Sequence, residues 1–272
     1  MPSLTLSEAL EITKIHSVAG TLSNKDGFIG TRPFRSPHHS ISDIALIGGG
    51  RLPKPGEISL AHYGVLFLDE LAEFNRKALE ALRQPLEEDL ICISRIKGTL
   101  TFPACFILVA ALNPCPCGNY FNPQKTCHCN PAKIRNYLGK ISGPLLDRID
   151  IHIEVPQVKY LELSDTQDAE SSQAIKQRVE TARAIQKERF KSSGIFCNAK
   201  MHNKLIKEYC LLDKEAQELM RMAISELGLS ARAYDKILKV SRTISDLAGS
   251  QNILAEHVAE AIQYRSLDRS IW

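Results

Sequence analysis

The apolar run Val65-Leu66-Phe67-Leu68 ends in two adjacent acids, Asp69 and Glu70. An uninterrupted run of this length reads as a strand buried on both faces, as at the centre of a parallel α/β sheet. Carboxylates at its C-terminal edge stand where such sheets bind ligands. Hydrolysis of a nucleoside triphosphate needs both: Asp69 to hold Mg²⁺ through its water shell, and Glu70 to orient and polarise the attacking water. An ordinary buried strand followed by helix-capping acids leaves the same string, so other motifs must decide.

Three of them follow in chain order. A second apolar run, Leu108-Val109-Ala110-Ala111-Leu112, ends in Asn113, which can hydrogen-bond the attacking water or the γ-phosphate. Arg148 follows the short apolar helix end Gly143-Pro144-Leu145-Leu146 and precedes an expected strand over residues 149–155. A guanidinium there, donated across a subunit boundary, stabilises transition-state charge, which is why such enzymes work as rings. Arg232 opens a late helix in Leu229-Ser230-Ala231-Arg232-Ala233, the position of a second phosphate sensor. Taken singly, each arginine reads as a solvated surface charge; the ordered set carries the nucleotide reading.

Four of the eight cysteines, Cys115, Cys117, Cys127 and Cys129, crowd into one loop bearing glycine and proline. In a cytosolic protein disulfides are disfavoured, whereas four thiolates brought together by a hairpin close a tetrahedral shell around Zn²⁺. The C-x-C spacing strains the chelate more than C-x-x-C does, His128 can replace one cysteine, and free thiols or a redox pair are the competing reading. Cys92, Cys105, Cys197 and Cys210 are scattered and read as inert.

Residues 32–62 read as a long exposed loop holding Arg32, Arg35, His38, His39, Arg51 and Lys54 among glycine and proline. Residues 91–100 read as a hairpin with Arg95 and Lys97 near its tip. In a ring ATPase such loops line the pore, where cations grip a phosphate backbone; cations that only solvate loops are the alternative. Adjacent His38 and His39 are expected to point oppositely and not to chelate together.

The elements that must position these groups follow from pattern. Strands are expected at Val65, Phe106 and Ile149, with a helix over residues 75–87. Beyond the polar stretch Ser164-Asp165-Thr166-Gln167-Asp168, the pattern turns helical. Ile175, Val179, Ala182 and Ile185 share one helix face, and three more helices are punctuated by Asp213 and Ser230 as N-caps and Gly228 and Gly249 as C-caps. The boundaries predicted are an α/β core over 1–157 and an all-α lid over 165–272. At 272 residues, 44% hydrophobic and 24% charged, the chain suffices for one large or two modest domains. It has no run of 18 apolar residues and no signal-peptide pattern, so a soluble cytoplasmic protein without membrane association is expected. A net charge of +3 permits nucleic-acid binding without requiring it.

More specific than the acid pair are the strings Arg32-Pro33-Phe34-Arg35-Ser36-Pro37-His38-His39, Gly48-Gly49-Gly50-Arg51-Leu52-Pro53-Lys54-Pro55-Gly56-Glu57-Ile58-Ser59-Leu60-Ala61-His62 and Asn113-Pro114-Cys115-Pro116-Cys117-Gly118. On them the chain resembles, over nearly its whole length, the magnesium-chelatase-like AAA+ ATPases of the competence (ComM/YifB) branch. The resemblance implies a P-loop-type parallel sheet, N-terminally truncated here, followed by an all-α lid that packs on the nucleotide with Arg232 facing phosphate. It implies ATP and Mg²⁺ as cofactors, self-association into a hexameric ring, and DNA as partner, single-stranded or at a junction. In that branch the activity implied is a helicase that drives branch migration in recombination during natural transformation.

The family's phosphate loop, G-x-x-x-x-G-K-[ST], lies just before the segment that begins here at Met1. The nearest string in this chain, Gly139-Lys140, is followed by Ile141 and has Ile134 in place of the first glycine, so it is not such a loop. The chain alone is expected to bind ATP weakly or not at all. If translation starts upstream of Met1, the motor reading holds. If it does not, the competing function is a non-catalytic ring subunit or split-gene remnant with a structural zinc loop, offering Arg148 in trans. Metal insertion into a porphyrin is a third reading, which the cysteine cluster fits less well.

Overall fold

The computed structural model describes residues 1–22, 27–95, 98–122, 124–156 and 170–265. Its backbone divides into two compact units, Ser3–Ile149 and a second beginning at Asp150.

The first unit opens with α1 (Leu6–Ala19), started by a capping box in which Thr5 and Glu8 each accept the other's backbone N–H. Short elements follow: β1 (Phe34–Arg35), α2 (Asp43–Ile47), the antiparallel pair β2 (Gly48–Gly49) and β3 (Lys54–Pro55), α3 (Glu57–Leu60) and β4 (Val65–Leu68). After a 3₁₀ turn at Leu71–Glu73 come α4 (Arg76–Ala81), capped by the Asn75 side chain, and α5 (Arg83–Glu88). The hairpin β5 (Leu90–Arg95) and β6 (Gly98–Pro103) leads into β7 (Ile107–Ala110), then α6 (Pro131–Leu138) and α7 (Gly143–Leu146).

β1, β4 and β7 form a parallel sheet in that order, with Val65 opposite both Phe34 and Ile107 and Leu68 opposite Ala110. One face is the core: Leu66 and Leu68 are fully buried with Leu46, Ile58, Phe74 and Leu79. The other face stays apolar but partly open, with Phe34, Ile107 and Val109 exposed and Val65 and Phe67 half-buried. The central strand is therefore buried on one face rather than on two. Gly64 sets the spacing at its start, since a Cβ there would lie 2.0 Å from the Pro33 carbonyl oxygen, the group that accepts the Val65 N–H.

Two sequence expectations need correction. Residues 32–62 are not one exposed loop: they contain β1, α2, the β2–β3 pair and α3, and bury Leu46, Ile58, Ser59 and His62. Residues 149–155 do not form the expected strand. Their alternation is real, with His152 buried and Ile151, Ile153 and Val155 exposed, and the His152 N–H donates to the Tyr264 carbonyl at 2.7 Å. No ladder forms around that single bond, and a strand is defined by its partner.

The second unit is helical: α8 (Ser172–Arg189), a 3₁₀ turn at Asn198–Lys200, α9 (Asn203–Tyr209), α10 (Lys214–Leu227), α11 (Ala231–Leu247) and α12 (Ala255–Gln263). Among the described residues four helices thus follow α8 where three are expected. Asp213 and Ser230 cap α10 and α11, and Gly228 ends α10 in the left-handed conformation. Met220, Ile237, Leu238 and Val258 fill its core. Within it lies Asp246, 2% exposed, whose carboxylate accepts two bonds from Arg189 at 2.5 and 2.7 Å, one from Arg242 at 3.2 Å and one from Asn198 at 2.8 Å.

Candidate nucleotide and metal sites

The pairing of β4 with β7 carries past the strand ends. Ala111 donates to the Leu68 carbonyl at 3.0 Å and Leu71 to the Ala111 carbonyl at 2.9 Å. Asp69, Glu70 and Asn113 therefore leave the sheet at its C-terminal edge, where open α/β sheets bind ligands, and all three are exposed. Glu70 has φ 52° and ψ 47°, a left-handed conformation costly for a residue with a Cβ and found mostly where function demands it. Its carboxylate lies 2.9 Å from Nδ1 of His39, which follows β1 at the same edge. Sequence reasoning missed His39 as a partner of Glu70; the histidine pair itself was visible, but the pairing arises only when β1 docks on β4. The His38 and His39 rings lie 4.0 Å apart, so they do not point oppositely as expected. Near Asn113, burial pushes up the phenol of Tyr137 of α6, with the Asn113 backbone acting the other way. Beside the edge is an open hollow of about 570 Å³ lined by His39, Ser40, Phe74, Asn75, Arg76 and Lys140.

The arginines take different places. Arg148 is 12% exposed and donates to the Pro144 carbonyl at 2.7 Å and to the Glu87 carboxylate. Arg232 is exposed in the first turn of α11. Arg32, 11% exposed, donates to the Tyr63 carbonyl at 2.7 Å and to Glu8 at 3.2 Å. Arg35 makes a bidentate pair with Glu57 at 2.6 and 2.7 Å. These two guanidiniums spend donors inside the fold, whereas Arg51 and Lys54 are exposed at the β2–β3 pair. Arg95 ends β5 in the expected hairpin, but its side chain, like all of Lys97, lies outside the described residues.

The four cysteines do converge. The Sγ atoms of Cys115, Cys117, Cys127 and Cys129 all lie within 4.8 Å of one another, with Cys115–Cys117 at 3.4 Å, Cys117–Cys127 at 3.6 Å and Cys115–Cys127 at 3.7 Å. A tetrahedron with Zn–S bonds of about 2.3 Å has S···S edges of about 3.8 Å, whereas a disulfide would bring one pair to about 2.05 Å. Without a metal the thiols compete for charge. A backbone hydrogen bond from Asn119, with help from Cys115, brings Cys117 down to about 6. Cys127 is favoured as thiolate by the Cys129 backbone, yet burial and the neighbouring thiols push it up to about 12. A dication would satisfy all four at once, so the donor set fits one. His128 is exposed and is not in the group. The loop folds back on the sheet edge, since a Cβ on Gly118 would lie 3.9 Å from the Asn113 side-chain oxygen.

Residues 1–163 match the family model for magnesium chelatase, subunit ChlI, and residues 169–265 match the model for its C-terminal region. The chain belongs to the magnesium chelatase ChlI family. Among relatives it is 47% identical over 270 residues to "Competence protein ComM" of Haemophilus influenzae and 45% identical over 270 residues to "Uncharacterized protein YifB" of Escherichia coli, covering 99% of this chain and 52% of each relative. It is 43% identical to an uncharacterized protein of Mycobacterium bovis over 266 residues, 97% of this chain and 52% of that protein. The chain spans about half the length of the curated relatives it matches. The three-stranded parallel sheet followed by helices is the magnesium chelatase-like AAA+ arrangement. Among the described residues no helix is long and apolar enough to cross a membrane.

Membership of the magnesium chelatase-like family implies ATP and Mg²⁺. The exposed carboxylates of Asp69 and Glu70 beside Asn113 fit a hydrated Mg²⁺ and an attacking water. The backbone cradle for β- and γ-phosphates is another matter, as G-x-x-x-x-G-K-[ST] does not occur in these 272 residues.

Proposed function

We propose that this chain is the larger part of a nucleotide-hydrolysing AAA+ module that acts on DNA, in the manner of a branch-migrating helicase, within a hexameric ring. In this reading residues 1–157 are the ATPase core and residues 165–272 the lid. The observation that carries it is Glu70, in a left-handed conformation with its carboxylate 2.9 Å from His39, at the edge where Asp69 and Asn113 also emerge. Asp69 would hold Mg²⁺, which supplies charge neutralisation at the phosphates when bound. Glu70 would orient and deprotonate the attacking water, and His39 would aim the carboxylate. Asn113 would sense the γ-phosphate, and Arg148 and Arg232 would meet phosphate charge of a neighbour's or the chain's own nucleotide. Arg148 must first leave Glu87 and Pro144 to do so. The competence name of the Haemophilus relative supports DNA as the partner, and Arg51, Lys54, Arg95 and Lys97 are the cations offered to it. The cysteine cluster would hold a structural Zn²⁺ that ties the loop after Asn113 to the sheet edge.

A second reading is a ring subunit that lends Arg148 to a neighbour's nucleotide without hydrolysing its own. Titration with Mg·ATP separates the two, using the polypeptide at its natural length and its Glu70→Gln variant. In the motor reading, the variant retains any nucleotide affinity while losing phosphate release. A lending subunit is indifferent to the change.

A further inference from the structure

Between residues 90 and 146 the chain has no Asp or Glu, although it carries 31 acids in all, and in the same stretch it has Arg95, Lys97, Lys125, Lys133, Arg135 and Lys140. The cysteine loop lies inside this stretch. At its outer turn Tyr120 and Phe121 are 51% and 69% exposed, with ring centroids 4.7 Å apart and planes at 66°. Two large rings in solvent are costly unless something covers them, and an edge-to-face pair leaves ring face open for stacking. The cysteine cluster brings the two arms of the loop together, and Asn122 tightens the turn by accepting the N–H groups of Gln124 and Lys125 at 2.8 and 3.2 Å. Lys125, Lys133 and Arg135 are exposed. α6 buries Ile134 and Tyr137 inward, which leaves Lys133 and Arg135 on its outer side.

We propose that this loop is a binding site for single-stranded DNA, with Tyr120 and Phe121 stacking on unpaired bases and Lys125, Lys133 and Arg135 following the phosphates. Rigidly mounted aromatics flanked by cations are how proteins hold single strands without reading sequence, and a duplex, with its bases already stacked, offers the rings nothing. Charge favours a polyanion over an apolar protein partner, because Lys125, Lys133 and Arg135 are exposed, whereas Lys140 is paired with Glu73 across 3.7 Å. The site rests on the DNA-directed reading above and adds to it a contact that the hairpin and β2–β3 cations do not supply.

The test is fluorescence anisotropy of the 272-residue chain with a labelled dT20, an abasic 20-mer of the same charge and a 20-bp duplex. Tyr120→Ala/Phe121→Ala is compared with Tyr120→Leu/Phe121→Leu, which keeps bulk without a π face. Wild type is expected to bind dT20 at least tenfold tighter than the abasic strand. Both double variants should lose that margin while keeping abasic affinity, melting temperature and metal content. Replacing Lys125, Lys133 and Arg135 with Gln should weaken dT20 and abasic binding alike and flatten the salt dependence. Equal wild-type affinity for dT20 and the abasic strand, or unchanged dT20 binding by the double variants, would overturn the site and leave the DNA reading standing. Failure of wild type to bind any of the three would overturn both.

Discussion

Cys127→Ser should remove a metal ion and a measurable part of the first unit's stability. The cluster joins Cys115 to Cys129 and so closes a loop of about 15 residues, a constraint worth about 3 kcal/mol when the staple is present in the folded state alone. The unit Ser3–Ile149, at about 2.1 cal/mol/K of unfolding entropy per residue, melts with an entropy near 0.3 kcal/mol/K, so the loss corresponds to about 10 °C. The helical unit contains none of the four thiols and serves as internal control. Elemental analysis of reductively purified chain should find one zinc per polypeptide, absent from Cys127→Ser. Calorimetry should find the first unit's transition lowered by the substitution and, to the same extent, by a strong chelator. Less than half an equivalent of zinc, or a first-unit transition indifferent to both treatments, would refute the staple.

Three further outcomes follow from packing and charge. Asp246→Ala strands Arg189 and Arg242, 12% and 5% exposed at their side chains, and should destabilise the helical unit by about 3–5 kcal/mol, read as a fall in its melting temperature. Gly64→Ala drives a methyl group against the Pro33 carbonyl and should loosen β1 from β4, read as faster amide exchange at Val65 and loss of the 2.9 Å His39–Glu70 contact. Burial holds His62 and His16 below their ordinary value of 6.5. The unfolded chain therefore binds more protons in the window from 6.5 down to the folded values, and the first unit loses stability as pH falls through it, by at most about 1.4 kcal/mol per pH unit per histidine. His62→Asn, which keeps an acceptor for the Cys105 N–H now bonded to Nδ1 at 3.0 Å, should flatten that slope in urea titrations.

Apolar run and terminal polar residue sufficed to find β4 with Asp69–Glu70 and β7 with Asn113, because a short apolar strand writes its whole pattern within its own few residues. The helix caps at Asp213 and Ser230 and the cysteine cluster were legible for the same local reason. Residues 32–62 were not, since elements of two to five residues are shorter than the periods by which helices and strands are recognised. Charge misled where its partner was distant: Arg32 and Arg35 read as exposed cations, but Glu8 and Glu57, 24 and 22 residues away, claim them. The alternation of residues 149–155 lacked the one thing sequence does not contain, a neighbouring strand. His39 illustrates the same limit, being joined to Glu70 only through the β1–β4 register.

The most direct measurement is DNA-stimulated phosphate release by the polypeptide purified at its natural length from its source cells, with Glu70 intact and as Glu70→Gln. Glu70 as water-activating base predicts steady hydrolysis by the first. The second should still bind ATP, with turnover reduced about 100-fold or more. Equal turnover by the two, or no ATP binding by either, would contradict it.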